Sequence, residues 1–242
     1  MNSFLISLIF FTRISIRREL DFSDKEIEKS MKLIPIVGMI IGAILCIIKY
    51  IMEYLGLYGN IYGIILFTVY IFLTGGIHID GFTDTIDGIY SNRDRDRTLE
   101  IMQDSRIGVF GALGLIILSA FYISVFKEIQ YILLFVFPIV SRTIIIYTCA
   151  KFKYAKKDGM GKKFMDFADK RIFYVFFLIL LILIAYNNIY ISISIILSFL
   201  FTELWIKKIS RKLDGITGDI LGFSIEISQI LLLIIFIIIE RM

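Results

Sequence analysis

IYGIILFTVYIFLTGGIHIDGFTDTIDG, residues 61–88, runs from 61 to 79 without one Asp, Glu, Lys or Arg. It then delivers Asp80, Asp84 and Asp87 within two turns, just after the only histidine of the chain, His78. An uncharged run of this length matches the roughly 20 residues a helix needs to cross a bilayer. It is too long for a buried strand, and no turn chemistry interrupts it before its end. Comparable runs cover 33–51, 107–126, 129–150, 172–185, 189–206 and 220–239. Of the 242 residues 58% are hydrophobic, against about 45–50% in soluble domains. The excess must face something other than water. These observations predict an all-α, polytopic membrane helical bundle of about seven transmembrane helices, with 1–242 as a single integral-membrane domain.

The charges support the same reading. Of the 26 basic residues, 22 fall before the first span or in the connections after the second, fourth and sixth. The connections between hold only Lys127. By the positive-inside rule the N-terminus is cytoplasmic, and seven spans leave the C-terminus outside. Alternation with the spans accounts for the basic residues without a nucleic-acid partner. In MNSFLISLIFFTRISIRREL, residues 1–20, the charges follow the apolar core instead of preceding it, and no small-residue cleavage site is present. That segment reads as a retained N-terminal interfacial helix, not a signal peptide. Cys46 and Cys149 fall inside spans in no metal-ligand spacing, and they leave the redox compartment open.

At about 100° per residue, Asp80, Asp84 and Asp87 share a face of about 60° if the second span continues past 79. Two carboxylates about 6 Å apart repel by roughly 3 kcal/mol at an effective dielectric of 20. A divalent cation or arginines would relieve that repulsion, and oxygen-only ligands suit Mg²⁺ or Mn²⁺. The alternative is a solvated cytoplasmic loop. Gly76, Gly81 and Gly88 interleave with the aspartates as if backbone must approach a ligand closely. His78 is a metal ligand, a general base or an interfacial hydrogen-bonding residue.

Downstream, SNRDRDRTLEIMQDSRIGVFG, residues 91–111, predicts a charged turn and then a short cytoplasmic helix near 97–105. Glu100 and Asp104 stand at i, i+4 there and would extend the acidic cluster. Arg93, Arg95 and Arg97 suit surface pairing. Arg106, at the membrane boundary beside Ser105, is the candidate substrate ligand. Arg142 lies inside the fourth span, where a charge costs at least about 2.5 kcal/mol and marks function by default. Its structural alternative is an ion pair with Glu203 or Glu226. In LDGITGDILGFSIEI, residues 213–227, Gly218 and Asp219 open the seventh span. A glycine-bounded helix start offers N–H groups to an anion, and Asp219 either caps that helix or joins a metal site.

GGIHIDGFTDTIDG, LEIMQDSRIGVFGALGL and DGITGDILG, in this order along the chain, resemble the cobalamin synthase (adenosylcobinamide-GDP ribazoletransferase) family. FFTR near the N-terminus, IPIVGMIIGA in the first span, and Ser141 with Arg142 extend the resemblance. It implies a multi-pass enzyme of the cell membrane, its active site facing the cytoplasm, acting late in cobalamin assembly. Its substrates would be adenosylcobinamide-GDP and α-ribazole or α-ribazole 5′-phosphate, with GMP released and Mg²⁺ required. On that reading Asp80, Asp84, Asp87, Glu100 and Asp104 form the metal site. His78, Asp84 and Arg142 are the catalytic candidates, and Ser105, Arg106, Gly218 and Asp219 the substrate-binding ones. Oligomeric state is left open. A CDP-alcohol phosphotransferase is the alternative: Asp84 to Gly88 supplies its DxxDG, but Tyr90 and Ser91 stand where Ala-Arg belongs. An ion-coupled transporter would carry such carboxylates nearer the bilayer midplane.

Overall fold

The computed structural model describes residues 1–156 and 159–241. Its described residues form twelve helices and no strand beyond one isolated bridge between Tyr154 and Ile216. The chain opens with α1 (Asn2–Phe11) and α2 (Asp24–Met31), followed by the long α3 (Ile34–Tyr54). Next come α4 (Asn60–Thr74), α5 (Ile77–Tyr90) and α6 (Arg95–Ile101). The remainder is α7 (Val109–Phe126), α8 (Tyr131–Lys151), α9 (Met160–Asp166), α10 (Lys170–Asn187), α11 (Ile189–Leu213) and α12 (Gly218–Glu240). Six of these, α3, α7, α8, α10, α11 and α12, are long and apolar enough to cross a membrane. A seventh span exists if α4 and α5 are counted as one broken element.

That element departs from the expected second span. Its axis turns by 93° between α4 and α5, at Gly75 and Gly76, both with left-handed backbones (φ 69° and 71°). Glycine takes such φ values without the steric penalty of a Cβ, so two in succession make a corner. With α4 as the crossing arm, α5 turns away at nearly a right angle and is not itself among the six helices long and apolar enough to cross. The aspartates therefore sit on a helix of their own.

The bundle closes around α8. Nine-tenths of its span is buried (89%), against 11% for α10, which is the outermost helix. Close backbone approach sets the α3–α8 contact: a Cβ on Gly38 would lie 2.6 Å from the Pro138 carbonyl oxygen, and one on Gly42 2.4 Å from that of Phe135. Gly63 of α4 meets the Ile123 carbonyl of α7 in the same way. Small residues at helix contacts are the means of packing available where lipid removes the hydrophobic incentive between helices. Tyr50, Phe72, Ile116, Ile117, Leu178 and Ile182 stay exposed on the outside, the side chains a bilayer would cover.

The N-terminal helix is less peripheral than expected. Ser3, Ile6, Ser7, Leu8 and Phe11 of α1 are buried, and Ser7 Oγ donates to the Ser30 carbonyl of α2 at 2.7 Å. Neither α2 nor α9 was anticipated. The short helix expected near 97–105 is also shorter: α6 ends at Ile101. Asp94 sets its start by accepting from the Arg97 amide at 2.9 Å. Past its end, the Arg106 amide donates to Asp104 Oδ1 at 3.0 Å, a local turn that competes with helix. Asp104 thus stands outside the helix that carries Glu100.

Candidate active site

Contact between α5 and the first turns of α12 assembles the acidic face. A Cβ on Gly81 would stand 2.7 Å from the Asp219 carbonyl oxygen, and one on Gly222 3.2 Å from His78 Cα. Glycine is required at 81 for that approach, and a Cβ at 222 would force the helices apart by a few tenths of an ångström. Asp80 and Asp84, one turn apart on α5, are thereby brought beside Asp219 of α12. Asp80 is exposed, while Asp84 and Asp219 are half-buried. The Asp84 carboxyl is pushed up to about 7, first by burial and then by the charges of Asp80, Asp219 and Asp87. Three neighbouring carboxylates thus add to burial in disfavouring the charged form of Asp84, and a bound cation would offset them.

Asp87 is close by but committed elsewhere. Its Oδ2 accepts from the Gly108 amide at 2.6 Å and its Oδ1 from the Gly111 amide at 2.8 Å. Gly108 is the N-cap of α7, so Asp87 supplies from α5 the acceptor that the orphan amides of α7 need. A Cβ on Gly111 would fall 2.4 Å from Asp87 Oδ2. Asp87, expected among the metal ligands, thus also braces α7 against α5.

Glu100 and Asp104 are not joined to this face. Arg97 donates to Glu100 at 2.8 Å and Arg106 to Asp104 at 2.7 Å, all four side chains being well exposed. Arg106 holds the Asp104 carboxyl down to about 2. Neither carboxylate is among the charges that raise Asp84. Arg106 and Ser105 are exposed on this same turn, and Arg106 is occupied by Asp104.

His78 is buried at the start of α5, against the Phe11 ring at 5.7 Å. On the helix it is displaced by about 120° from Asp84, at 100° per residue. It borders a cavity of about 240 Å³ that reaches Gly218, Gly222, Phe10 and Phe164, and its Nε2 has no hydrogen-bond partner. Gly218 begins α12 with open space around it. The cap of α12 is Thr217, which accepts from the Ile220 amide at 3.4 Å. Asp219 therefore does not cap the helix, and its Oδ2 accepts from Thr217 Oγ1 at 3.1 Å.

Arg142 is fully buried and, among the described residues, has neither Glu203 nor Glu226 within ion-pair distance. Lys151 takes Glu203. Glu226 accepts from Tyr70 at 2.7 Å and from Tyr122 at 2.8 Å. Both hydroxyls are also within bonding distance of Gln229 Oε1, at 2.9 and 2.8 Å. Gln229 Nε2 donates to Ser141 Oγ at 2.8 Å, and Arg142 Nη1 reaches the same oxygen at 3.1 Å. Arg142 Nε and Nη2 remain without partners. Tyr70, Tyr122 and Gln229 were missed from the sequence. Their signal was the polar pair Glu226 and Gln229, one turn apart inside an apolar run.

Among the described residues no three His, Cys, Asp or Glu side chains converge closely enough to hold a metal as they stand. The chemistry of the donors nevertheless fits a hard divalent cation. Asp80, Asp84 and Asp219 offer only oxygen, the donor such a cation takes. A cation there would offset the neighbouring negative charges that add to burial in raising the Asp84 carboxyl.

Buried polar groups inside a bundle of apolar helices, with carboxylates gathered where two of them meet at one end, define a multi-pass membrane protein of the enzymatic kind. The cobalamin-5-phosphate synthase family model matches residues 3–237, and the chain belongs to that family. It is 34% identical to the adenosylcobinamide-GDP ribazoletransferase of Alkaliphilus oremlandii, over 97% of this chain and 96% of the relative. Proteins of the same name from Clostridium acetobutylicum and Fusobacterium nucleatum are each 34% identical, covering 93% and 99% of this chain and 91% and 98% of theirs. No solved structure matches the chain significantly.

Proposed function

We propose that this chain is an adenosylcobinamide-GDP ribazoletransferase of the cell membrane. It joins adenosylcobinamide-GDP to α-ribazole or its 5′-phosphate, releases GMP, and uses Mg²⁺. The observation that carries the reading is the acidic face between α5 and α12, in a chain that matches its family and relatives along nearly its whole length. A ribose hydroxyl of the ribazole gives up its proton and forms the new P–O bond to the phosphoryl group next to cobinamide. The P–O bond of the pyrophosphate breaks and GMP departs with its electron pair, the released proton passing to solvent. Such transfers depend on positioning and charge neutralisation more than on covalent help from the protein. Asp80, Asp84 and Asp219 would hold the Mg²⁺, which when bound neutralises the pyrophosphate and the departing oxygen.

The chain's own groups do the rest. Gly81 and Gly222 keep α5 and α12 in register, so the three carboxylates stay on one face. The cavity bounded by His78, Gly218 and the rings of Phe10 and Phe164 shelters an apolar portion of a substrate beside that face. In the first turn of α12 the Ile220 amide is held by Thr217, and the Asp219 amide before it would serve a phosphate oxygen there. Arg142, through Ser141 and Gln229, orders the helices behind the face; it is a positioning residue. The concentration of basic residues at this end of the bundle supports a face turned to the cytoplasm.

Purified protein in liposomes, given adenosylcobinamide-GDP, α-ribazole and Mg²⁺, is expected to form a complete corrinoid and GMP in equal amounts. Chelation of the divalent ion should stop both. No corrinoid product would sink the activity, and turnover unaffected by chelation would sink the Mg²⁺.

A further inference from the structure

The acidic helix has a second surface that the transfer reaction does not use. Between the C-terminal halves of α5 and α11 lies a cleft of about 520 Å³. Its apolar wall includes an aromatic pair: Trp205 lies on Phe223 at 6.0 Å and 15°. Its mouth holds Lys208 and Lys212, four residues apart and so on one face of α11. Lys212 Nζ donates to the Ile89 carbonyl at 3.3 Å, in the last turn of α5. Lys208 is exposed and has no hydrogen bond or ion pair among the described residues. In the cleft wall Thr85, 1% exposed, has a hydroxyl without a partner.

Apolar walls ending in two lysines and an interfacial tryptophan match an amphiphile with a negative head. Tryptophan sits at headgroup level and lysine attracts anionic lipid there. The groove on the opposite side of α5 supplies the contrast. That groove, about 360 Å³ between Phe82, Ile86, Phe110, Leu113 and Ile234, has no charged side chain in its lining. It has nothing with which to select a headgroup. We infer that the α5–α11 cleft is a binding site for an anionic phospholipid, acyl chain along Trp205 and Phe223 and phosphate at Lys208 and Lys212.

Trp205 is the only tryptophan of the chain, so its fluorescence reports on this cleft directly. The full chain would be placed in phosphatidylcholine liposomes doped with either phosphatidylglycerol or phosphatidylcholine carrying brominated acyl chains. Half-maximal quenching is expected at a mole fraction of the anionic lipid on the order of tenfold lower than of the zwitterionic one. Lys208→Gln with Lys212→Gln should abolish that advantage while leaving quenching by bulk lipid. Lys208→Gln alone, which removes no partner, should reduce it and serves if the double variant fails to fold. Inorganic phosphate at millimolar concentration should leave the quenching unchanged. Equal quenching by the two headgroups, or an advantage that survives both substitutions, would overturn the site. Reversal by inorganic phosphate would replace the lipid with a free anion and overturn it equally.

Discussion

An Asp→Asn change keeps the size of the side chain and removes one negative charge, so it separates carboxylates that hold a cation from those that hold backbone. Asp80→Asn, Asp84→Asn and Asp219→Asn should each lower turnover by orders of magnitude. None should lower the melting temperature without Mg²⁺, since each relieves repulsion on the acidic face. Asp87→Asn should do the reverse of this in stability. It weakens two charge-assisted bonds to Gly108 and Gly111, each worth about 1.5–3 kcal/mol, and the melting temperature should fall. Asp104→Asn loses only an exposed ion pair and should leave both readouts close to wild type. Thermal melts beside turnover would check the set, and equal loss of activity from Asp84→Asn and Asp104→Asn would mean the acidic face is in the wrong place. The helical period puts Asp80, Asp84 and Asp87 on one face, and that was legible. The duty of Asp87 was not, because it depends on two amides more than twenty residues away. Asp219 was legible only as a helix-start residue, since its approach to α5 depends on glycines in both partners.

At the scale of elements, the corner at Gly75 and Gly76 decides where the acidic helix lies. A Cβ on Gly76 would meet only Ile71, at 3.9 Å, whereas one on Gly75 would press on Arg13 at 3.2 Å. Gly76→Ala therefore tests backbone conformation almost alone. It should cost about 1–2 kcal/mol, the penalty for a left-handed backbone with a Cβ, and lower the melting temperature accordingly. Gly218→Ala, in open space at the start of α12, should melt as wild type does. Equal melting of both variants would remove the strain assigned to the corner. A long apolar run states that a helix is present and is silent about a turn within it. The glycine pair gave the only hint, and glycine inside apolar helices is also used for packing, as Gly38 and Gly42 show. Helix α6 was legible in kind but not in extent, because past Ile101 the chain enters a turn in which the Asp104 side chain accepts from the Arg106 amide.

For the whole molecule, the expected orientation puts the α5 end of the bundle in the cytoplasm. In a background without Cys46 and Cys149, a cysteine at Asn188, between α10 and α11, should react in intact cells with an impermeant thiol reagent. One at Ser91, at the end of α5, should react only after permeabilisation. Labelling of Ser91 from outside would invert the orientation. Span number and charge alternation were readable because each is a property of composition along the chain. The polar chain from Arg142 to Glu226 was not, since it joins α4, α7, α8 and α12 through side chains far apart in sequence.

The corner also fixes a length. With 15 residues, α4 rises about 22 Å at 1.5 Å per residue, while a typical hydrocarbon core is about 30 Å thick. Helices α3 and α12, of 21 and 23 residues, match that core. One arm of the bundle is thus short for its membrane, and the short arm ends at the helix bearing Asp80 and Asp84. This is hydrophobic mismatch confined to one side of a protein, which a bilayer answers by thinning locally. Thickening the bilayer raises the cost of that thinning and draws the carboxylates toward hydrocarbon. In liposomes of increasing acyl-chain length, turnover is expected to decline as the chains lengthen, and a flat profile would show that the corner rides free of the membrane.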